Sequence, residues 1–146
     1  MVLANQYATE GVTFAGARVV DTDPTRNTDL GFSPTSGVVT MNFNPNVRSV
    51  SIDFKNAVVG VMDAVLINGQ TLHDYQPNAI ITESSLQIDA PDSNNPIKTV
   101  EVHSLANVNL IEFDDLTYDQ IPEFPTVVLP VAAVLGILFI VQRKKN

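Results

Sequence analysis

The chain has 146 residues, a formal charge of −8, no cysteine and no tryptophan. Without cysteine there is no disulfide framework, thiolate zinc site or cysteine nucleophile. The acidic excess excludes nucleic acid and anionic headgroups as partners, because both would be repelled.

Short β-rich runs fill the first 120 residues. Gly11–Phe14 and Ala17–Val20 read as a first pair of strands, broken at Ala15-Gly16. Residues 21–34 are polar, contain Pro and Gly, lack apolar periodicity and predict a loop. Val38–Phe43 is a strand with Val39, Met41 and Phe43 on one face. Asn44-Pro45-Asn46 is expected to turn the chain into Val47–Phe54. There Val50, Ile52 and Phe54 alternate with Ser49, Ser51 and Asp53, as in a half-buried antiparallel strand. After a turn at 55–57, Val58–Ile67 leads into Asn68-Gly69, a hairpin signal of type I′, and Thr71–Tyr75 returns. Ser84–Ala90 is a strand, and Pro91–Pro96 is a surface loop. In the next strand Ile97, Thr99, Glu101 and His103 share one face, and Lys98, Val100 and Val102 the other. Val108–Tyr118 closes the domain. The count and spacing predict an all-β fold, an antiparallel β-sandwich.

The tail is different. From Val127 to Val141 no side chain carries a charge or a hydrogen-bonding group. A helix of that length spans about 22 Å, short of a hydrocarbon core of about 30 Å. Pro130 shortens the regular span further unless it sits in the first turn. Arg143, Lys144 and Lys145 place the C-terminus on the cytoplasmic side. Setting those three aside leaves 5 basic against 16 acidic residues, a charge of −11 on the part that faces outward. Export needs a targeting signal that Met1–Tyr7 lacks, so the natural chain is expected to begin earlier, with a signal peptide and a further strand.

Pro122-Glu123-Phe124-Pro125, the short apolar run and the basic tip stand in the order seen in the PEF-CTERM sorting signal of archaeal surface proteins, which residues 121–146 resemble. The layout is similar to PEP-CTERM and PGF-CTERM signals. The resemblance implies a membrane-embedded transpeptidase of the exosortase/archaeosortase class as partner, cutting near the Pro-Glu-Phe element. The body also looks like the β-sandwich ectodomains that often precede such signals. The similarity rests on Asn5–Ala17, Val50–Phe54 and the closing Ile111–Tyr118. That implies a jelly-roll-like sandwich, related in shape to carbohydrate-binding modules. The expected organisation is an extracellular domain over 1–119, a linker over 120–125, a transmembrane or sorting helix over 126–142 and a cytoplasmic tip over 143–146.

Few residues offer chemistry. Ile111 and Phe113 fall on one face of the last strand and Leu116 and Tyr118 on the other, so a β-bulge at Asp114-Asp115 would bring all four inward. Carboxylate-rich bulges can hold calcium, and similar sandwiches use an Asp near the last strand for a structural calcium. Asp114 and Asp115 are therefore the candidate calcium ligands; otherwise they bond to local backbone. Asp21, Asp23, Thr25, Asn27 and Asp29 mimic EF-hand spacing, but Arg26 replaces the glycine and Phe32 the glutamate, so that reading fails. His73 and His103 are the only imidazoles, with Glu101 beside the second, and they read as solvated strand residues. No catalytic motif is present. With tryptophan absent, Tyr7, Tyr75 and Tyr118 are the large amphipathic rings left for a sugar to stack on. The expected function is a non-enzymatic surface protein with a binding, adhesion or envelope role, whose partners are the membrane and surface glycans or envelope proteins. The alternative is a membrane-anchored carbohydrate-binding module or accessory domain of a carbohydrate-active enzyme.

Overall fold

The computed structural model describes residues 2–5, 7–21, 30–77, 83–105 and 111–121. They form ten strands: β1 (Val2–Leu3), β2 (Val12–Ala15), β3 (Ala17–Asp21), β4 (Leu30–Pro34), β5 (Val38–Lys55), β6 (Val59–Leu66), β7 (Thr71–Pro77), β8 (Ser84–Asp89), β9 (Ile97–Ser104) and β10 (Glu112–Gln120). A single 3-10 turn, Ala8–Glu10, precedes β2.

β5, 18 residues long, organises the sheet. Its first half pairs with β9 on one side and β2 on the other. Its second half pairs with β10 and β8. Beyond β9 lie β6 and β7, and beyond β10 lie β4, β3 and β1, all antiparallel. The sheet curls so that its two halves face each other. Phe54, on the second half of β5, lies directly beneath Gly60 on β6. An aromatic seam runs from Phe14 on β2 to Phe32 on β4 and on to Phe113 on β10, with centroids 5.2 and 5.4 Å apart. Such contacts add to the area buried. The enclosed core takes Val39, Met41 and Phe43 from one half and Val50, Ile52 and Phe54 from the other, in the alternation expected.

Several sequence expectations need correction. Leu30–Pro34 is a strand rather than loop. Gly31 and Pro34 hide it, but proline is tolerated at a strand end, and Phe32, 6% exposed, packs between two other phenylalanines. β2 and β3 do not pair with each other; they belong to opposite halves. Gly16 makes the crossover at φ 76°, and a Cβ there would lie 2.5 Å from Val38 O. The chain does not turn at Asn44–Asn46. It stays extended through a cis Asn44–Pro45 bond, at a break in the β9 ladder between Asn42 and Val47, where a missing N–H leaves no pairing gap. The Asn68-Gly69 hairpin is present, but only Gly69 has positive φ, at 86°. Gly69 N–H donates to Leu66 O, and Gln70 N–H donates to Asn68 Oδ1, so the turn is not type I′. Ile97 is buried with Val100 and Val102 because the ladder slips between Val65 and Leu66.

Hydrogen bonds from outside the ladders reach two of the strand edges. Phe14 N–H donates to Ala4 O and Val12 N–H to Tyr7 O, which occupies the outer side of β2. On β7, Asp74 Oδ2 accepts from Gln87 N–H of β8 at 2.9 Å, bridging the free edges of the two halves. Where β10 ends, Tyr118 Oη and Gln120 Nε2 both donate to Glu10 O, at 2.8 and 2.9 Å. That tie fixes the point from which the tail departs.

Candidate functional site

The outward face of β7, β6, β9 and the first half of β5 carries a set of hydrogen-bonding side chains on regular backbone. Register sets them in rows. His73, Asp63, Glu101 and Thr40 stand opposite one another across four strands. The next row is Tyr75, Val61, His103 and Val38, and the row on the other side is Thr71, Val65, Thr99 and Asn42. Directly opposed residues bring their Cβ atoms to about 5 Å, within reach of contact along each row. His73 Nδ1 lies 2.6 Å from Asp63 Oδ1, and Thr99 Oγ1 donates to Asn42 Oδ1 at 3.1 Å. Tyr75 is 70% exposed, with its ring free of the core. His103 Nδ1 is buried and has no hydrogen-bond partner. This is a polar platform with one aromatic ring, arranged for contact along an extended surface.

The bulge is where the sequence puts it. The β10–β5 register breaks between Asp114 and Thr117, and Asp115 has φ 45°. Ile111 and Phe113 are buried, and Leu116 and Tyr118 pack against the core. Asp114 Oδ1 accepts from Asp115 N–H at 2.9 Å, so the carboxylate caps the irregular backbone. Asp114 stands opposite Asp53, whose Oδ1 accepts from Ser85 Oγ. Among the described residues, no group of three or more His, Asp or Glu side chains is placed to hold a metal.

The other sequence candidates scatter. His73 and His103 share a face but lie in different rows on β7 and β9, with β6 between them. Glu101 faces Asp63 and Thr40 across the strands. Tyr7 packs edge-on against Phe14, and Tyr118 is spent on Glu10 O. Residues 22–29, and with them Asp23, Asn27 and Asp29, lie outside the described residues, as do Pro122, Glu123, Phe124, Pro125 and the tip Arg143, Lys144 and Lys145. The sequence reading missed the His73–Asp63 pair. The signal was available: both lie five residues from Asn68, the centre of the hairpin.

Two solved structures share the fold over most of the chain. The family 29 carbohydrate-binding module CBM29_1 from Piromyces equi is 10% identical, covers 75% of this chain and 80% of its own, and has a TM-score of 0.53. A point variant of a second family 29 module is 13% identical, covers 75% of this chain and 82% of its own, and has a TM-score of 0.50. At these identities the likeness is one of fold, an antiparallel β-sandwich. No curated protein sequence matches the chain. Among the described residues no helix is long and apolar enough to cross a membrane. At the end of the chain, residues 121–145 match the family model of the PEF-CTERM archaeal protein sorting domain.

Proposed function

We propose that this protein is a non-enzymatic cell-surface protein whose β-sandwich, jelly-roll-like in arrangement, is displayed outside the cell through its C-terminal sorting signal. The observation that carries this reading is the match of residues 121–145 to the PEF-CTERM archaeal protein sorting domain. In this reading residues 126–142 enter the membrane and Arg143–Lys145 stay cytoplasmic. An exosortase/archaeosortase-type transpeptidase then acts near Pro122–Pro125, leaving residues 1–119 outside. The sequence chemistry agrees, since residues 1–119 hold 15 acidic against 5 basic residues, a charge of −10 suited to water and not to an anionic surface. Calcium enters the proposal at Asp114 and Asp115. Backbone carbonyls and water would complete the six to eight oxygens the ion takes.

Mass spectrometry of the mature C-terminus from the native host tests the sorting role. The expected product ends near Pro122–Pro125 and lacks Arg143–Lys145. A mature protein with an intact basic tip would reduce the tail to a plain anchor.

Glycan binding at the sheet face is the second reading, favoured by the fold shared with two carbohydrate-binding modules and by exposed Tyr75 beside a row of polar side chains. Sugars are held by stacking on a ring and by hydrogen bonds to their hydroxyls. Affinity electrophoresis against soluble polysaccharides should show retardation that Tyr75→Ala removes. If no polysaccharide retards the wild type, this second reading falls.

A further inference from the structure

A concavity lies away from the sheet face, where the extended bend of β5, the β6–β7 turn and the β8–β9 loop meet the residue that follows β10. It is a notch of about 320 Å³, at the small end of the range of ligand pockets. Its polar wall is Asn44, Asn46, Ser93 and Asn94. The side chains of these four make no hydrogen bond to another described residue. Its apolar wall is Pro45, Pro96, Ile67 and Ile121. The chain has 16 acidic residues and none of them lines the notch; no basic residue does either.

The walls are held by backbone. Ile67 N–H donates to Pro96 O at 3.1 Å, fastening the hairpin turn to the β8–β9 loop. Within that loop Asp92 Oδ1 accepts from Asn94 N–H and Asn95 N–H, which keeps the Asp92 carboxylate occupied with its own turn. Asn44 N–H donates to Gly11 O.

The chemistry of the lining restricts the ligand. Without a charged side chain the notch offers nothing to an anion or a cation. Three amides and a hydroxyl would go unsatisfied against a hydrocarbon chain. Each amide can both donate and accept, as vicinal hydroxyls require. Two proline rings and two isoleucines give flat apolar surface for a C–H face. The volume is ample for one pyranose ring. We propose that this notch binds a single neutral pyranose ring, such as the terminal unit of a surface glycan, at the root of the sorting signal. The site uses different elements from the platform around Tyr75, so either can fail without the other.

The test is a titration of the full-length chain in dodecylphosphocholine micelles with neutral methyl hexosides, followed by ¹⁵N–¹H spectra. Side-chain amide signals of Asn46 and Asn94 should shift saturably with a Kd of about 1 mM, the strength available to so small a ligand. Asn46→Ala and Asn94→Ala should each weaken binding by about tenfold, one hydrogen bond apiece. Asn94 is exposed in its loop, so that variant keeps the fold even if Asn46→Ala does not. Tyr75→Ala should leave the shift unchanged. No saturable shift up to about 50 mM hexoside, a large excess over the expected Kd, overturns the proposal. So does an equal response to methyl glucuronide. Shifts confined to residues around Tyr75 would overturn the notch and support the sheet-face reading instead.

Discussion

A Cβ added at Gly60 would stand 2.6 Å from Phe54 Cζ and 2.7–2.8 Å from two more atoms of the same ring. Phe54 is 1% exposed and enclosed by the core, so its ring has little room to retreat. Space, and not backbone conformation, therefore requires glycine at this position. Gly60→Ala should destabilise the protein by about 1–3 kcal/mol, the usual cost of overpacking a filled core. Urea unfolding would show this as a lower midpoint with an unchanged slope. In a Phe54→Leu background the same substitution should cost less, because the two residues are in contact and their effects do not add. Equal cost in both backgrounds would mean that the ring is not what the added methyl meets. The contrast with Gly69 is informative. Nothing lies within 4 Å of a Cβ built there, and glycine serves the turn through its φ of 86° alone.

Among elements, the tie between the 3-10 turn and β10 makes the clearest prediction. Tyr118 Oη donates to Glu10 O, and burial, followed by the nearby Glu10 carboxylate, raises the phenol above its ordinary pKa of 10.0. A raised folded-state pKa means the neutral phenol stabilises the fold fully below pH 10 and that this contribution is lost as pH rises through the folded-state value. Tyr118→Phe loses one hydrogen bond at neutral pH, about 1 kcal/mol. Melting curves across the alkaline range should then show the wild-type advantage over Tyr118→Phe disappearing above pH 10. A constant gap at all pH values would separate the phenol proton from stability. This same strand shows how much the sequence discloses. The phase break at Asp114-Asp115 is visible because Ile111, Phe113, Leu116 and Tyr118 cannot all face inward without a bulge. The alternation of β5 is legible for the same local reason. β4 is not, since one phenylalanine between Gly31 and Pro34 sets no period. Nor is the assignment of β2 and β3 to opposite halves, because it depends on the partners each takes, β5 and β4, which the local pattern does not encode. The His73–Asp63 half of the polar row follows from counting out from the hairpin turn, whereas Glu101 joins it through long-range pairing with β9.

At the scale of the whole molecule, the charge balance dominates. Before the basic tip, 16 acidic residues face 5 basic ones. Glu112 is locally offset by Lys55 at 3.7 Å, but the net field of the folded domain remains strongly negative. Compaction concentrates that charge, so self-repulsion opposes folding, and added salt relieves it. Raising NaCl from 0.01 to 0.15 M shortens the screening length from about 30 to about 8 Å, and the melting temperature should rise by several degrees. Calcium separates a site from a screening effect. At matched ionic strength, the proposed ion at Asp114 and Asp115 should raise the melting temperature beyond the NaCl curve. EDTA should reverse the increment, and Asp114→Asn should abolish it while leaving the response to NaCl intact. If calcium and sodium curves coincide, the two carboxylates serve only the bulge, as the Asp115 N–H to Asp114 Oδ1 bond already allows.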